Sequence, residues 1–394
     1  MKFAFDDYIV DTNAFELKHG GKTVSIEPKA FRILQHLIEN RERAVSKDEL
    51  LQDIWQGRIV SDAALSSAIK AARAAVGDSG SRQALIKTVH GHGFRFIGQT
   101  VSLEPKPPST PTPELTQHIR YCRSQDGTNI AYATIGTGTP ILKTGNWMSH
   151  LEFELESPLW RHWIVEFSNR WSLTRYDQRG NGLSNRNPKD VSFEALVADL
   201  EAVAENLGSD QAILFGVSAG CALSIEFAAR HPDKVKALVL YGGFPVGWKF
   251  AKNQEELEIF NAMGTLIKAG WGRDNPAFRQ VFTSRFIPGA TQEQADWFNE
   301  LQRKTVTPEV AYELHESAGH INVKDRLEGI SVPTLIMHAR DDAVVPLVGG
   351  QILASRIPNA QFVTLDSANH ILIEHEPAFQ RMLSEVERFI DCLE

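Results

Sequence analysis

Ser218, the pair Asp341-Asp342 and His370 are the residues whose types and placement allow covalent chemistry, because each follows closely on an apolar run. Ser218 lies in Gly216-Val217-Ser218-Ala219-Gly220, after Ala212-Ile213-Leu214-Phe215 and before a helical pattern that begins at Cys221. The apolar run suits a buried parallel strand. The glycines leave room for a sharp turn, so the hydroxyl stands above the sheet near a helix N-terminus, where developing negative charge is favoured. Alone the pattern says little, since chance supplies Gly-x-Ser-x-Gly in roughly one chain in ten of this length. Its context decides. A serine nucleophile needs a base, and the base needs a group that holds its tautomer and stabilises the imidazolium. Thr334-Leu335-Ile336-Met337-His338 leads to Asp341 and Asp342, and Phe362-Val363-Thr364-Leu365 leads to His370.

The elements that must position these residues follow from residue 119 onward. Strand pairs at 121–123 and 129–135, turned at Asp126-Gly127, give way to strands at 140–143, 173–176, 212–215, 237–241, 334–338 and 361–365. Helical patterns separate them, among them 193–207 and 379–390. Such alternation argues a mostly parallel sheet with helices on both faces and active residues at the C-terminal ends of the strands. Between Tyr241 and Thr334 lies a helical insertion rich in aromatics, including Phe244, Trp248, Phe250, Phe260, Trp271, Phe278, Phe282, Phe286 and Trp297.

This larger part of the chain, residues 119–394, resembles the α/β-hydrolase superfamily. Besides the motif at Ser218, Tyr176-Asp177-Gln178-Arg179-Gly180-Asn181-Gly182-Leu183-Ser184 is similar to that superfamily's Asp-x-Arg-Gly-x-Gly-x-Ser loop. The resemblance implies a triad of Ser218, Asp342 and His370. Asp342 stands at the family's offset before Pro346, which leaves Asp341 a surface or supporting carboxylate. His370, followed by Glu374, His375, Glu376 and Pro377, matches the histidine motif, with Asn369 where the family usually has Gly. The resemblance also implies an oxyanion hole of two backbone donors. Ala219 N–H is one; the other comes from Thr144-Gly145-Asn146-Trp147, where the usual His-Gly pair is absent and Asn146 or Trp147 supplies the donor, Trp147 being preferred. His150 and His338 are expected to be structural. The insertion at about 243–328 is expected to cap the serine, most of its aromatics packing the cap and the rest lining a pocket for an apolar or aromatic ligand.

The first hundred residues read differently. Short strand pieces at 3–25, with Gly20-Gly21 as a hairpin signal, precede a helix opening at Pro28 that carries Phe31, Leu34, Leu37 and Ile38 on one face. Ser46-Lys47-Asp48-Glu49 is a capping-box sequence for a second helix. A third, starting near Ser61, points Leu65, Ile69, Ala72 and Val76 inward and Ser66, Ser67, Lys70, Arg73 and Ala74 outward. Small, hydroxylated and basic residues on one helix face suit a major groove. A basic hairpin, Ile86-Lys87-Thr88-Val89-His90-Gly91-His92-Gly93-Phe94-Arg95-Phe96-Ile97, closes the region. This order resembles the winged-helix effector domain of OmpR/PhoB-type transcription regulators across nearly all of residues 3–98. That resemblance implies DNA contacts from Ser66, Ser67, Lys70 and Arg73 on the third helix and from His92 and Arg95 at the wing.

Composition sets the outer limits. A chain of 394 residues exceeds one core of ~100–200 residues, so two domains are expected. The net charge of −8 is uneven: residues 1–100 carry 14 Lys plus Arg against 12 Asp plus Glu, a mildly basic head on an acidic body. No apolar run reaches the ~18 residues of a membrane helix, and Asp6-Asp7 come too early for a secretory signal; a cytoplasmic location is expected. The three cysteines, Cys122, Cys221 and Cys392, form neither a disulfide framework nor a zinc pattern. No cofactor or metal is implied. The expected organisation is a smaller α+β winged-helix domain at 1–100, a Pro-rich linker at 101–117 and an α/β-hydrolase fold at 118–394. The expected function is a regulator that binds double-stranded DNA, as a homodimer suited to paired half-sites, and whose hydrolase-like domain binds and slowly hydrolyses a small carbonyl ligand. The alternatives are a serine esterase or lactonase whose DNA-binding head is incidental, and a catalytically silent sensor.

Overall fold

The computed structural model describes residues 2–12, 14–41, 43–55, 62–89, 91–98, 100–102, 115–250 and 254–393. Ser61, His90 and the Pro-rich stretch 103–113 lie outside the described residues. The chain forms two compact units, Met1–Thr112 and Pro113–Glu394.

In the first unit, strands Lys2–Phe5, Tyr8–Asp11, Glu16–His19 and Lys22–Val24 make an antiparallel meander. Gly20 and Gly21 take φ of +56° and +80° between the paired His19 and Lys22, as a two-residue hairpin turn requires. Val101–Ser102, expected to open the linker, instead pairs with Phe3 and Ala4; the free edge of the first strand offers unpaired backbone groups that these residues satisfy. Helices Pro28–Glu39, Lys47–Trp55 and Asp62–Ala75 pack on this sheet. Phe31, Leu34, Leu37 and Ile38 meet Leu65, Ile69, Ala72 and Val76 in one buried cluster. Only half of the expected capping box forms. Ser46 Oγ accepts from Glu49 N–H at 3.1 Å, while the Glu49 carboxylate turns to Arg43 at 2.6 Å, a charge-assisted bond that outcompetes a backbone donor. The hairpin Ile86–Val89 and Gly93–Phe96 crosses close to Val45. A Cβ on Gly93 would lie 2.0 Å from the Val45 carbonyl oxygen, and its φ of +121° excludes L side chains as well.

The second unit is built on eight strands: β1 (Arg120–Arg123), β2 (Asn129–Ile135), β3 (Pro140–Lys143), β4 (Ser172–Tyr176), β5 (Ala212–Val217), β6 (Val235–Tyr241), β7 (Thr334–Ala339) and β8 (Gln361–Leu365). Their spatial order is β8-β7-β6-β5-β3-β4-β2-β1. β3 to β8 run parallel and the β1–β2 pair is antiparallel. Every residue of β5 is buried, because it has β3 on one side, β6 on the other and helices on both faces. The 177–184 loop is scaffold. Asp177 accepts the N–H groups of Leu151 and Leu183, a Cβ on Gly182 would sit 2.1 Å from Asp177 Oδ2, and Arg179 joins Asp199 at 2.7 Å and Asp126 at 2.8 Å. Helices Gln254–Gly270, Ala277–Phe286, Gln292–Thr305 and Pro308–Gly319 form the cap between β6 and β7. Among the described residues no helix is long and apolar enough to cross a membrane.

Helix Arg161–Arg170 braces the chain beyond β8. His162 Nε2 and Trp163 Nε1 both donate to the Leu372 carbonyl, at 3.0 and 2.9 Å. Burial pulls His162 from its ordinary value of 6.5 down to about 4, so the native state refuses a proton that the unfolded chain accepts. Its contribution to stability is present above pH 6.5 and is lost as pH falls toward 4, by about 3 kcal/mol in all. His315 and His338 are lowered by burial in the same sense. His162→Gln keeps a donor for Leu372 without a titrating ring, and thermal unfolding of this variant is expected to depend less steeply on pH across that window. Equal slopes for variant and wild type would contradict the assignment.

Candidate functional site

Ser218 sits where β5 turns into helix Gly220–Arg230, with φ of +56°. This left-handed conformation is strained for a residue with a Cβ. It is held by Ser218 N–H donating to the Tyr241 carbonyl at 2.9 Å and by Cys221 N–H donating to the Ser218 carbonyl at 3.0 Å. Close approach on both sides requires glycine: a Cβ on Gly216 would lie 2.8 Å from Cys221 Cα, and one on Gly220 2.8 Å from the Gly145 carbonyl oxygen.

Asp342 and His370 meet across the ends of β7 and β8, Asp342 Oδ2 lying 2.6 Å from His370 Nδ1. The other carboxylate oxygen accepts the N–H groups of Val344 and Val345 at 2.8 and 3.0 Å. Burial alone would push this carboxyl up, but the His370 imidazole and the two backbone donors hold it below its ordinary value. Among the described residues, His370 Nε2 is buried with no hydrogen-bond partner. The histidine is fixed by its backbone N–H, donated to the Phe286 carbonyl at 2.8 Å, and by Tyr241 Oη donating to the Asn369 carbonyl at 3.2 Å. Asn369, the residue in the place of the usual glycine, ties this loop to the cap, its Oδ1 accepting from Gly289 N–H at 2.9 Å. Arg285 of the cap binds the Ala343 carbonyl at 2.7 Å, next to Asp342. Neither anchor was foreseen from the sequence. Asn369 stood out only as a departure from the motif, and no signal marked Arg285.

The loop after β3 is pinned residue by residue. Thr144 N–H donates to the Phe215 carbonyl at 3.0 Å, and Thr144 Oγ1 to the Gly220 carbonyl at 2.8 Å. Gly145 N–H is taken by Tyr176 Oη at 2.9 Å, so Asn146 and Trp147 are the loop's candidate donors opposite Ala219. All three line one cavity of ≈180 Å³ with Ser218. Of the cap aromatics, Phe244, Trp248, Phe260, Phe282 and Phe286 line it as well. Trp271 is instead buried in the cap, Trp297 stacks on Phe153, and Phe250 is exposed. His338 Nε2 donates to the Val345 carbonyl at 2.8 Å, steadying the acid loop, and His150 Nδ1 accepts from Phe153 N–H. Among the described residues no His, Cys, Asp and Glu cluster has the makings of a metal site.

On the first unit, Ser66, Ser67, Lys70 and Ala74 are exposed on one face of helix Asp62–Ala75, and His92 is exposed at the hairpin turn. Arg73 is not on that face. Its side chain is buried, donating to the Ile86 carbonyl at 2.8 Å and to Thr88 Oγ1 at 2.9 Å, so it fastens the wing to the helix and the expected DNA contact is corrected. One turn from Lys70, position 73 has rotated past the solvent face toward the hairpin, which offers a carbonyl the guanidinium satisfies. Arg95 is half-buried with Nε on the Arg41 carbonyl at 2.9 Å.

Residues 153–377, more than half of the chain, match the family model of the alpha/beta hydrolase fold. The chain belongs to the alpha/beta hydrolase family. Residues 21–96 match the model of the C-terminal domain of transcriptional regulatory proteins, and the first unit is a winged-helix DNA-binding domain. The hydrolase part is 26% identical over 266 residues to the AB hydrolase superfamily protein YisY of Bacillus subtilis, covering 64% of this chain and 91% of that protein. It is also 26% identical over 263 residues to a non-heme haloperoxidase of Rhodococcus erythropolis, covering 64% and 92%. The esterase RhEst1 from Rhodococcus sp. ECU1013 shares the fold, with a TM-score of 0.58 at 23% identity over 70% of this chain and 99% of that one.

For the winged-helix unit, Lys70→Ala is expected to weaken duplex DNA binding and to reduce its salt dependence by about one counterion, the fold being unaffected. Arg73→Met is expected instead to lower the thermal stability of the unit by roughly 1–3 kcal/mol, because the Ile86 carbonyl loses its partner. Unchanged salt dependence in the first variant, or wild-type melting in the second, would contradict these roles.

Proposed function

We propose that the hydrolase unit cleaves a small apolar or aromatic carbonyl compound, an ester, lactone or amide, through Ser218, His370 and Asp342. The observation that carries this reading is the 2.6 Å contact between Asp342 and His370, together with a serine held at φ +56° where β5 turns into its helix. Ser218 Oγ attacks the carbonyl carbon and passes its proton to His370 Nε2. Asp342 stabilises the imidazolium and holds the tautomer that leaves Nε2 free to accept. The oxyanion receives the N–H groups of Ala219 and of Trp147 or Asn146. His370 then protonates the leaving group, and water, activated by the same imidazole, releases the acyl group from Ser218.

The matches to the esterase, haloperoxidase and superfamily relatives span 91–99% of those proteins but only 64–70% of this chain, which leaves them no length for a DNA-binding unit like this one. The fusion supports a regulator in which the cavity holds the signal: the carbonyl compound alters promoter binding, and slow turnover clears it. Ser66, Ser67 and Lys70 on the recognition helix and His92 and Arg95 at the wing are the proposed DNA contacts, and a homodimer would match paired half-sites.

Ser218→Ala is expected to lower hydrolysis of p-nitrophenyl butyrate by on the order of 10⁴-fold or more, while ligands that stabilise the wild type in thermal-shift measurements still bind. In cells, promoter output should respond to such a ligand in both chains and decay only with the wild type. Unimpaired catalysis by the variant would remove Ser218 from the role of nucleophile. Identical decay in the two would remove the self-clearing signal.

A further inference from the structure

Lys143 is a cation at the end of a buried strand that neither the sheet nor the triad requires. Its side chain borders a small interior void of ≈10 Å³ together with Glu154, Trp160, Arg175 and Phe215, room for about one water. Glu154 is held by Arg175 at 2.7 Å, and the Lys143 ammonium stands 5.2 Å from the centre of the Trp160 ring. Its own hydrogen bond goes elsewhere, to Asn146 Oδ1 at 2.6 Å. That contact fixes the amide. An ammonium only donates, so the Asn146 oxygen must face it and the Nδ2 group must face away. Nδ2 has two N–H groups, and among the described residues it makes one long contact, 3.4 Å to the Trp147 carbonyl. Asn146 also lines the cavity that contains Ser218 and Ala219.

We propose that Asn146 Nδ2 is a side-chain donor to the oxyanion, oriented and polarised by Lys143, in addition to the backbone N–H groups. The inference rests on the reading of Ser218 as nucleophile. A charge-assisted bond on the amide oxygen draws electron density from the nitrogen and strengthens its N–H as a donor. The dipole is fixed before substrate arrives, so no reorganisation accompanies the reaction. Burial pulls the Lys143 ammonium down; the Glu154 and Asp177 carboxylates oppose that fall and the Arg175 guanidinium adds to it. Asn146 is thus the group that meets the substrate, and Lys143 is a positioning residue that acts through it.

The test is a double-mutant cycle on the full chain with p-nitrophenyl butyrate. Asn146→Ala is expected to lower kcat by on the order of 10²-fold with KM near wild type. Lys143→Met lowers kcat in the same way, Lys143→Arg recovers most of the loss, and the double variant falls no further than Asn146→Ala, because the lysine acts only through the amide. Asn146→Asp falls below Asn146→Ala, since its carboxylate takes the ammonium for itself and repels the oxyanion. Additive losses, a raised KM with unchanged kcat, or wild-type kcat in Asn146→Ala would each overturn the proposal. Should Lys143→Met lose its near-ultraviolet circular dichroism, the comparison of Asn146→Asp with Asn146→Ala decides, and equal rates there overturn it. A wild-type chain without turnover sinks the Ser218 reading and this one with it; an active wild type with an unaffected Asn146→Ala sinks this one alone.

Discussion

The site depends first on one backbone conformation, the φ of +56° at Ser218. A residue with a Cβ held there costs roughly 1–3 kcal/mol and persists only where its surroundings over-determine it. Here they do. β5 is buried along its whole length between β3 and β6, the Ser218 amide is fixed on the Tyr241 carbonyl, and helix Gly220–Arg230 begins so close to the β3 loop that Gly220 has no room for a side chain. Relaxing the turn would break the central parallel pairing. The hydroxyl is therefore presented to the cavity from the end of a strand that is buried throughout and paired on both sides.

The imidazole and carboxylate are held on loops, and the cap helps to hold them. Phe286 illustrates the economy of the arrangement: its ring lines the cavity and packs edge-on against His370 with centres 5.3 Å apart, while its carbonyl accepts the His370 N–H. Arg285, one residue earlier, holds the loop of Asp342. Helix Ala277–Phe286 thus connects the wall that meets a ligand with both loops that would act on it, and a shift of this helix cannot leave the Asp342–His370 pair undisturbed.

Much of this was legible in the sequence because local pattern and global fold agree. The apolar runs before Ser218, Asp342 and His370 became β5, β7 and β8, the first two extended by two residues and one and the third with the bounds read, and the Gly20-Gly21 hairpin and the inward face of the third helix formed as read. What escaped reading depended on side-chain and edge-strand contacts beyond the element's own periodicity. Arg73 has the type and spacing of a groove-facing cation, yet the Ile86 carbonyl, thirteen positions on, takes its guanidinium. Glu49 has the spacing of a capping box, yet Arg43 takes its carboxylate. A long polar side chain declares its helix position but not its partner. The pairing of Val101–Ser102 with the first strand was hidden for the same reason, since two residues carry no periodicity.

The two units combine a DNA-binding winged helix with an alpha/beta hydrolase cavity, and the central claim is that Ser218 in that cavity becomes covalently acylated. Peptide mass spectrometry after acid quench of the full chain reacting with p-nitrophenyl acetate addresses it most directly. The account predicts one acetyl group, on the peptide containing Ser218, which forms with the release of p-nitrophenol and disappears as the ester is exhausted. Steady release of p-nitrophenol with the acetyl group on any other residue, or on none, would contradict it.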